Sequence, residues 1–336
     1  MTKQIRMHGD ELVNKLLAGE RDFSGIRLDE GYQIHKNKHY DQLTKYLHRR
    51  PLWDEPIVFT AGDFRGLDAT GLYLPFLQAE YSNFSGAKLN QVNLFKSELE
   101  NANLRGASLD NANLRFANLT QANLDHCSLI SANFRYATLR KATMKKVEAN
   151  RAVFENVVGD GANLQYSNLK EINFSFANFP KAKMQSCQMN NAKLWDANLK
   201  FAEMDNSEME DCNCRSVNFT GASLKNVSFA RTDFKGAILS QADLSQSSLN
   251  HAILFNAKLD ATCMEGADLQ ESNMIGADLS EANLQNANLR LAKVRDANFS
   301  NAILLDSKNL NTCIGLLYAN MNNVQISSMS QAINQT

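Results

Sequence analysis

The stretch Ala102-Asn103-Leu104-Arg105-Gly106 sets the frame of the chain. It is followed by Ala107-Ser108-Leu109-Asp110-Asn111 and by Ala112-Asn113-Leu114-Arg115-Phe116. A small residue, a short polar residue and a large apolar residue thus recur every five positions. Counted from Phe84 to Leu304 in steps of five, 42 of 45 positions are Leu, Phe, Met or Val, the exceptions being Ala149, Gly159 and Cys214. Two residues before each large position sits a small one. Of the 46 such positions from Ser82 to Ser307, 28 are Ala, and the rest are Ser, Val, Cys, Thr and Ile172. The frame runs through without insertion or deletion, so it is a repeat and not a fluctuation of composition.

An α-helix repeats its faces about every 3.6 residues and a strand about every 2, so neither accounts for a period of five. A very short strand that points in, out and in, followed by two corner residues, does. If each corner turns the chain through roughly a right angle, four segments close one square coil of 20 residues, and coils stack at about 4.8 Å with their backbone groups bonded coil to coil. The small residue stands where the interior is crowded, and Leu or Phe fills the axis. The exceptions obey the same volume rule: Ala149 follows Val147, Gly159 follows Val157, and Cys212 precedes Cys214, so a larger first residue accompanies a smaller second one. This reading puts Cys212 and Cys214 in the core, not in a metal or redox site.

The segments Ala102-Asn103-Leu104-Arg105-Gly106, Ala112-Asn113-Leu114 and Ala277-Asp278-Leu279-Ser280 resemble the A(N/D)LXX signature of the pentapeptide repeat family over residues 57 to 307. The resemblance implies an all-β fold, a right-handed quadrilateral parallel β-helix, here about 12 coils long, carrying a short helical N-terminal cap and a helical insertion. Residues 1–56 are expected to hold the cap helix, two initial repeats around Phe23 and Leu28, and the insertion; 57–307 the β-helix; and 308–336 a C-terminal cap and frayed tail.

The ends depart from the repeat. Asp10 to Ala18 has the pattern of an amphipathic helix, with Asp10 as N-cap, Leu12, Val13, Leu16 and Leu17 on one face and Gly19 as stop. Residues 30 to 56 are rich in basic and aromatic side chains, and Leu43, Tyr46 and Leu47 predict a helix ended by Pro51, either packed on the first coils or serving as a docking element. His35 and His39 are four apart, a metal-compatible spacing on a helix, but no third ligand accompanies them. Regularity fails after Ser307, where Thr312 and Ile314 are expected to make one last partial coil. Leu316, Leu317 and Tyr318 are expected to cover the last edge, and 325–336 to fray.

Chemistry is absent from the pattern. No phosphate-binding loop, nucleotide fingerprint, HExxH or nucleophile elbow occurs, and no cofactor, metal or catalytic residue is expected. The Asn residues preceding the central Leu (Asn103, Asn113, Asn123, Asn133) read as turn-bonding ladders. No window approaches the roughly 18 apolar residues of a membrane helix, and Met1 to Met7 lacks a signal-peptide core, so a cytoplasmic protein is expected.

Sorting positions at intervals of 20 separates the faces. One edge collects Phe95, Arg115, Arg135, Trp195, Arg215, Lys235, Phe255 and Arg295, and the adjoining column holds Phe116, Tyr136 and Phe176. The other three faces are mainly Asn, Gln, Ser, Asp, Glu and Lys. Aromatic residues interleaved with arginine either form an interface or stack on neighbouring coils and shield the core; the first reading gives the expected function, a non-enzymatic interaction scaffold or regulator. Its partner is a protein of unspecified identity, a second copy of the chain included. Family resemblance also implies an alternative, DNA mimicry directed at DNA gyrase or another topoisomerase, which requires a strongly anionic surface. The net charge is −1, and beyond residue 56 only 25 basic residues face 27 acidic ones, which disfavours mimicry. The same near-neutrality gives no field for direct nucleic-acid binding.

Overall fold

The five backbone N–H groups of Ala102 to Gly106 show how the chain is held. The computed structural model describes residues 5–327. In it Leu104 N–H donates to Asn123 O (2.7 Å), Gly106 N–H to Asp125 O (2.9 Å) and Asn103 N–H to Ser82 O (2.8 Å), joining each segment to the coil on either side. Ala102 N–H closes the preceding corner onto Leu99 O at 3.0 Å. The fifth donor, Arg105 N–H, goes to the side-chain Oδ1 of Asn103 at 3.2 Å. No donor is wasted, and the Asn supplies what the backbone lacks.

Each corner is a tight turn whose third residue has positive φ: Gly106 at 68°, but also Asn101 at 57° and Phe116 at 60°. Strands are so short that each segment contributes a single bridge residue, and within the regular frame bridged partners are 20 apart.

The chain divides into two compact units, residues 1–168 and 169–336. In the first, Asn83 pairs in parallel with Asn103, Lys88 with Ser108, Asn93 with Asn113 and Glu98 with Asn118, one pair on each of four faces. Its interior holds Leu104, Leu114 and Phe134 fully buried, with Phe134 and Phe154 rings 4.7 Å apart. Val147, Ala149 and Val157 are also wholly buried, as the volume rule requires.

The start of this unit is a cap. Strand β1 (Ile5–Met7) pairs in parallel with β2 (Ile26–Leu28), and α1 (Gly9–Ala18), which connects them, buries Leu12, Val13 and Leu16. Asp22 and Arg27 bridge to Val58 and Asp63, so residues on either side of the insertion belong to neighbouring coils. The N-cap of α1 is His8, whose Nδ1 accepts from Asp10 N–H at 3.2 Å, and not Asp10 as the sequence suggested. Asp10 lies in the first turn, and its Oδ1 accepts from Tyr32 Oη (2.8 Å) and Asn37 Nδ2 (2.7 Å). Those tertiary bonds are what local spacing could not reveal. Gly19 ends the helix at φ 101°.

The insertion forms α2 (Tyr40–Arg49), which buries Leu43 and Leu47. Its His48 ring stacks on Tyr73 of the coils at 4.3 Å, so α2 packs on the side of the first repeats. His35 lies in a 3₁₀ turn (Ile34–Lys36) and His39 precedes α2, so the helical spacing imagined for them does not arise.

In the second unit, Asn213 pairs with Asp233, Asn218 with Ile238, Ser223 with Asp243 and Ser228 with Ser248. Here the coil outlasts the sequence frame. Beyond Ser307, Asn288 still pairs with Lys308, Lys293 with Ile314 and Asn298 with Asn320, and β3 (Ile303–Leu304) pairs with β4 (Gln325–Ile326). Short 3₁₀ turns at Leu310–Thr312 and Leu316–Tyr318 lie between these pairs, where the partner spacing lengthens and the five-residue frame is lost. Gln325 and Ile326 are therefore paired and not frayed, while 328–336 lie outside the described residues. Leu317 and Tyr318 are 85% and 65% exposed, so they do not shield the edge as expected.

Two outcomes test this account. Asn123 Oδ1 accepts from Asp125 N–H (3.0 Å) and Thr143 Oγ1 (3.2 Å). Asn123→Leu is expected to lose about 1 kcal/mol in chemical denaturation, while Asn123→Asp, which keeps the acceptor, retains most of it. At the cap, the bond from Tyr32, opposed in part by burial and aided by Asn37, holds the Asp10 carboxyl below its usual range. Its contribution is present above about pH 4 and lost as pH falls through the lowered value, so melting temperature should drop more steeply on acidification in the parent than in Asp10→Asn.

Candidate protein-interaction surface

The outward residues singled out by the 20-residue count fall on corners of both units, and each unit arranges them differently. In the first unit four rings form a ladder. Phe76 meets Phe95 edge to face at 5.7 Å, Phe95 meets Phe116 at 5.7 Å, and Phe116 stacks on Tyr136 at 4.9 Å with planes 13° apart. Phe76 and Phe95 are half-buried, whereas Phe116 and Tyr136 are 42% and 48% exposed. Lys96 lies 5.8 Å from the Phe76 ring centre and 5.6 Å from that of Phe95, and the Arg115 guanidinium 5.8 Å from Phe116. Arg135 turns aside to Glu155, Nε to Oε2 at 2.9 Å.

Phe76 and Lys96 belong to this ladder although the sequence reading passed over them. Phe76 precedes the regular frame that starts at Phe84, and carrying the 20-residue interval back from Phe116 through Lys96 would have reached it.

In the second unit the same columns carry separate pairs. Phe176 and Trp195 meet at 4.8 Å, Lys235 lies over Phe255 at 5.6 Å, and Arg295 over Tyr318 at 5.1 Å. Arg215 is held by Asp233 at 2.6 Å, and Arg295 Nε lies 3.6 Å from Asp296. The structure thus brings the aromatic residues together, but satisfies Arg135, Arg215 and Arg295 internally. The 20-residue interval does place Glu155 beside Arg135; the pairings of Arg215 with Asp233 and of Arg295 with Asp296 depend on how the side chains turn at the corner.

Phe76, Phe116, Tyr136 and Phe176 occupy the positive-φ corner position, at 59–61°. An L-residue there is disfavoured by about 1–2 kcal/mol, and an aromatic pair returns about 0.5–1.5 kcal/mol. Gln121, Ser131 and Lys141 bear the same backbone cost at their corners, so against glycine the rings are near neutral and against the polar residues they add to coil stability.

The thiols and the acidic cluster elsewhere are taken up by the coil itself. Among the described residues, no three His, Cys, Asp or Glu side chains converge on a metal position. Burial pushes the Cys127 and Cys212 thiols up to about 12 and raises Cys214 further, leaving them protonated. Cys127 and Cys212 donate to Leu104 O and Met189 O at 3.0 and 3.1 Å, as core residues. An enclosed apolar cavity between α1 and the first coils, lined by Leu12, Leu16, Phe59 and Leu72 among others, measures about 20 Å³, no more than one water. The acidic residues are structural too: Asp211 and Glu210 bind Arg231 at 2.7 and 3.1 Å, and Asp205 Oδ1 accepts from Lys225 N–H at 3.0 Å. No helix of the described residues is long and apolar enough to cross a membrane.

Comparisons with known proteins agree on the repeat. A family model, Pentapeptide repeats, matches in 8 copies over residues 78–111, 107–145, 160–196, 196–231, 212–250, 252–290 and 262–301. No curated protein sequence matches the chain. Among solved structures, the chain is similar to HetL, a pentapeptide repeat protein involved in heterocyst differentiation regulation in the cyanobacterium Nostoc sp.; identity is 22%, 95% of this chain and 94% of that one are covered, and the TM-score is 0.26. Similarity to QnrB1, a plasmid-mediated fluoroquinolone resistance protein, is 16% identity over 58% of this chain and 94% of that one, TM-score 0.33. A thylakoid-lumen pentapeptide repeat protein of Arabidopsis thaliana shares 30% identity over 30% of this chain and 69% of that one, TM-score 0.18. With the family's repeats matched over more than half of its length, the chain belongs to the pentapeptide repeat family, whose members fold as right-handed β-helices.

Proposed function

We propose that the chain is a non-enzymatic interaction scaffold or regulator whose outward aromatic corners contact a protein partner. The observation that carries this reading is the exposed ladder Phe76–Phe95–Phe116–Tyr136 in the first unit, with Lys96 and Arg115 against its rings. Trp195 with Phe176 is the corresponding anchor in the second unit. Large rigid rings beside cations are the residue types that dominate binding energy at interfaces. Arg135, Arg215 and Arg295, already paired, serve as the polar rim and not as the anchors. The partner is a protein, with a second copy of this chain among the candidates. Six free cysteines fit a reducing compartment such as the cytoplasm.

DNA mimicry of a gyrase or topoisomerase substrate fits less well, because a net charge of −1 cannot replace a phosphate backbone. Affinity capture with tagged parent protein, compared with Phe116→Ser/Tyr136→Ser and with Trp195→Ala, tests the proposal. A specific partner is expected to be lost or reduced about tenfold in at least one variant, since an interface anchor contributes about 2 kcal/mol or more. Recovery unchanged in both variants removes the aromatic corners from the interface. Inhibition or protection in a gyrase supercoiling assay would shift the reading to mimicry.

A further inference from the structure

The outward face of α2 carries cations that form no ion pair among the described residues. Gln42, Lys45, Tyr46 and Arg49 fall at i, i+3, i+4 and i+7, one face of the helix, while Leu43 and Leu47 bury the other. With Arg50 and Pro51 this face lines an open cleft of about 640 Å³. Tyr46 is flanked by two guanidiniums: Arg50 Cζ lies 4.7 Å and Arg21 Cζ 5.4 Å from its ring centre. Arg21 also donates through Nη2 to Tyr46 Oη at 2.9 Å, and through Nη1 to Leu16 O at 3.2 Å and Glu20 O at 3.0 Å, yet its buried Nε has no partner.

Lys45, Arg49, Arg50 and Arg21 form no ion pair among the described residues. The same unit does pair cations where carboxylates are near, as with Arg65 between Asp63 and Glu30. Arg50 and Arg21 flank Tyr46, and Lys45, Arg49 and Arg50 line the cleft; like charges gathered in this way repel one another, and that repulsion is relieved by an anion.

We infer that this cleft binds the phosphate groups of a small anionic ligand. Planar guanidiniums present paired donors that match phosphate oxygens, Lys45 adds a point charge, and the cleft volume suits a small molecule. The surroundings limit the ligand's size. Over residues 40–55 the cations Lys45, Arg49 and Arg50 are matched in number by Asp41, Asp54 and Glu55, and Asp41 lies one helical turn before Lys45, so the segment offers three neighbouring cations but no broad positive field. A compact phosphate ester or pyrophosphate needs only the former; an extended polyanion or an anionic membrane needs the latter. The site is independent of the aromatic corners.

Titration calorimetry of the full chain with inorganic pyrophosphate tests it. Saturable binding that weakens as salt is raised is expected, with Arg49→Gln/Arg50→Gln weakening it about tenfold or more and Lys45→Gln less. Trp195→Ala should leave it unchanged. The substituted side chains are exposed, and an unaltered melting temperature confirms that the variants fold. Absence of binding by the parent, or binding that survives the double substitution, overturns the inference. Co-sedimentation with vesicles containing phosphoinositide that pyrophosphate does not compete away assigns the cleft to a lipid headgroup and overturns the small-molecule ligand.

Discussion

A chain that turns a corner every five residues has to satisfy a backbone donor that the neighbouring coils cannot reach. Four of the five N–H groups in a segment find carbonyls on adjacent coils or across the corner, as at Ala102 to Gly106. The fifth needs a side-chain oxygen within two residues, and Asn103 provides it. Where that position is Ser, the oxygen comes from the preceding coil: Asn90 Oδ1 accepts from Asp110 N–H at 2.9 Å while Ser108 Oγ bonds it at 2.6 Å, and Asp110 repeats the arrangement for Ile130 and Ser128. One requirement is thus met by two sequence patterns, which is why the polar position before the large residue varies while the frame does not.

That requirement also explains what could be read before any coordinates. The core positions are chosen by volume and the polar position by a local bond, and both are functions of a few consecutive residues. The repeat, its faces and the core cysteines were therefore legible. The ends were not, because there the deciding contacts are distant. Asp10 bonds Tyr32 and Asn37, and His8 caps the helix instead. The final coil persists past Ser307 because pairing tolerates an extra residue at a corner, whereas a five-residue count does not.

The candidate surface divides along the same line. Its columns follow from arithmetic, but the fate of each charge depends on side chains one coil away. Arg135 and Arg215 look like binding groups in sequence, and they are neutralised by Glu155 and Asp233. Conversely, the basic side chains of the insertion are evident in sequence, but only the helix shows that Lys45 and Arg49 line one cleft while Leu43 and Leu47 point inward. Charge counts identify what a surface lacks more securely than what it offers.

The aromatic corners then carry the weight of the functional argument, and their exposure is the reason. Residue types at the positive-φ corner include Asn101, Gln121, Asn191 and Gly221, which adopt it with little strain or solvate well. Gly221 also has a packing reason, because a Cβ there would come within 2.6 Å of the Phe201 ring. A large ring at such a corner takes the same disfavoured conformation as Gln121 and recovers part of the cost by stacking. Stacking therefore accounts for the rings meeting one another, while the exposure of Phe116 and Tyr136 places two nearly parallel ring planes where a partner can reach them. It is that exposure, and not the backbone, on which the proposal of recognition rests.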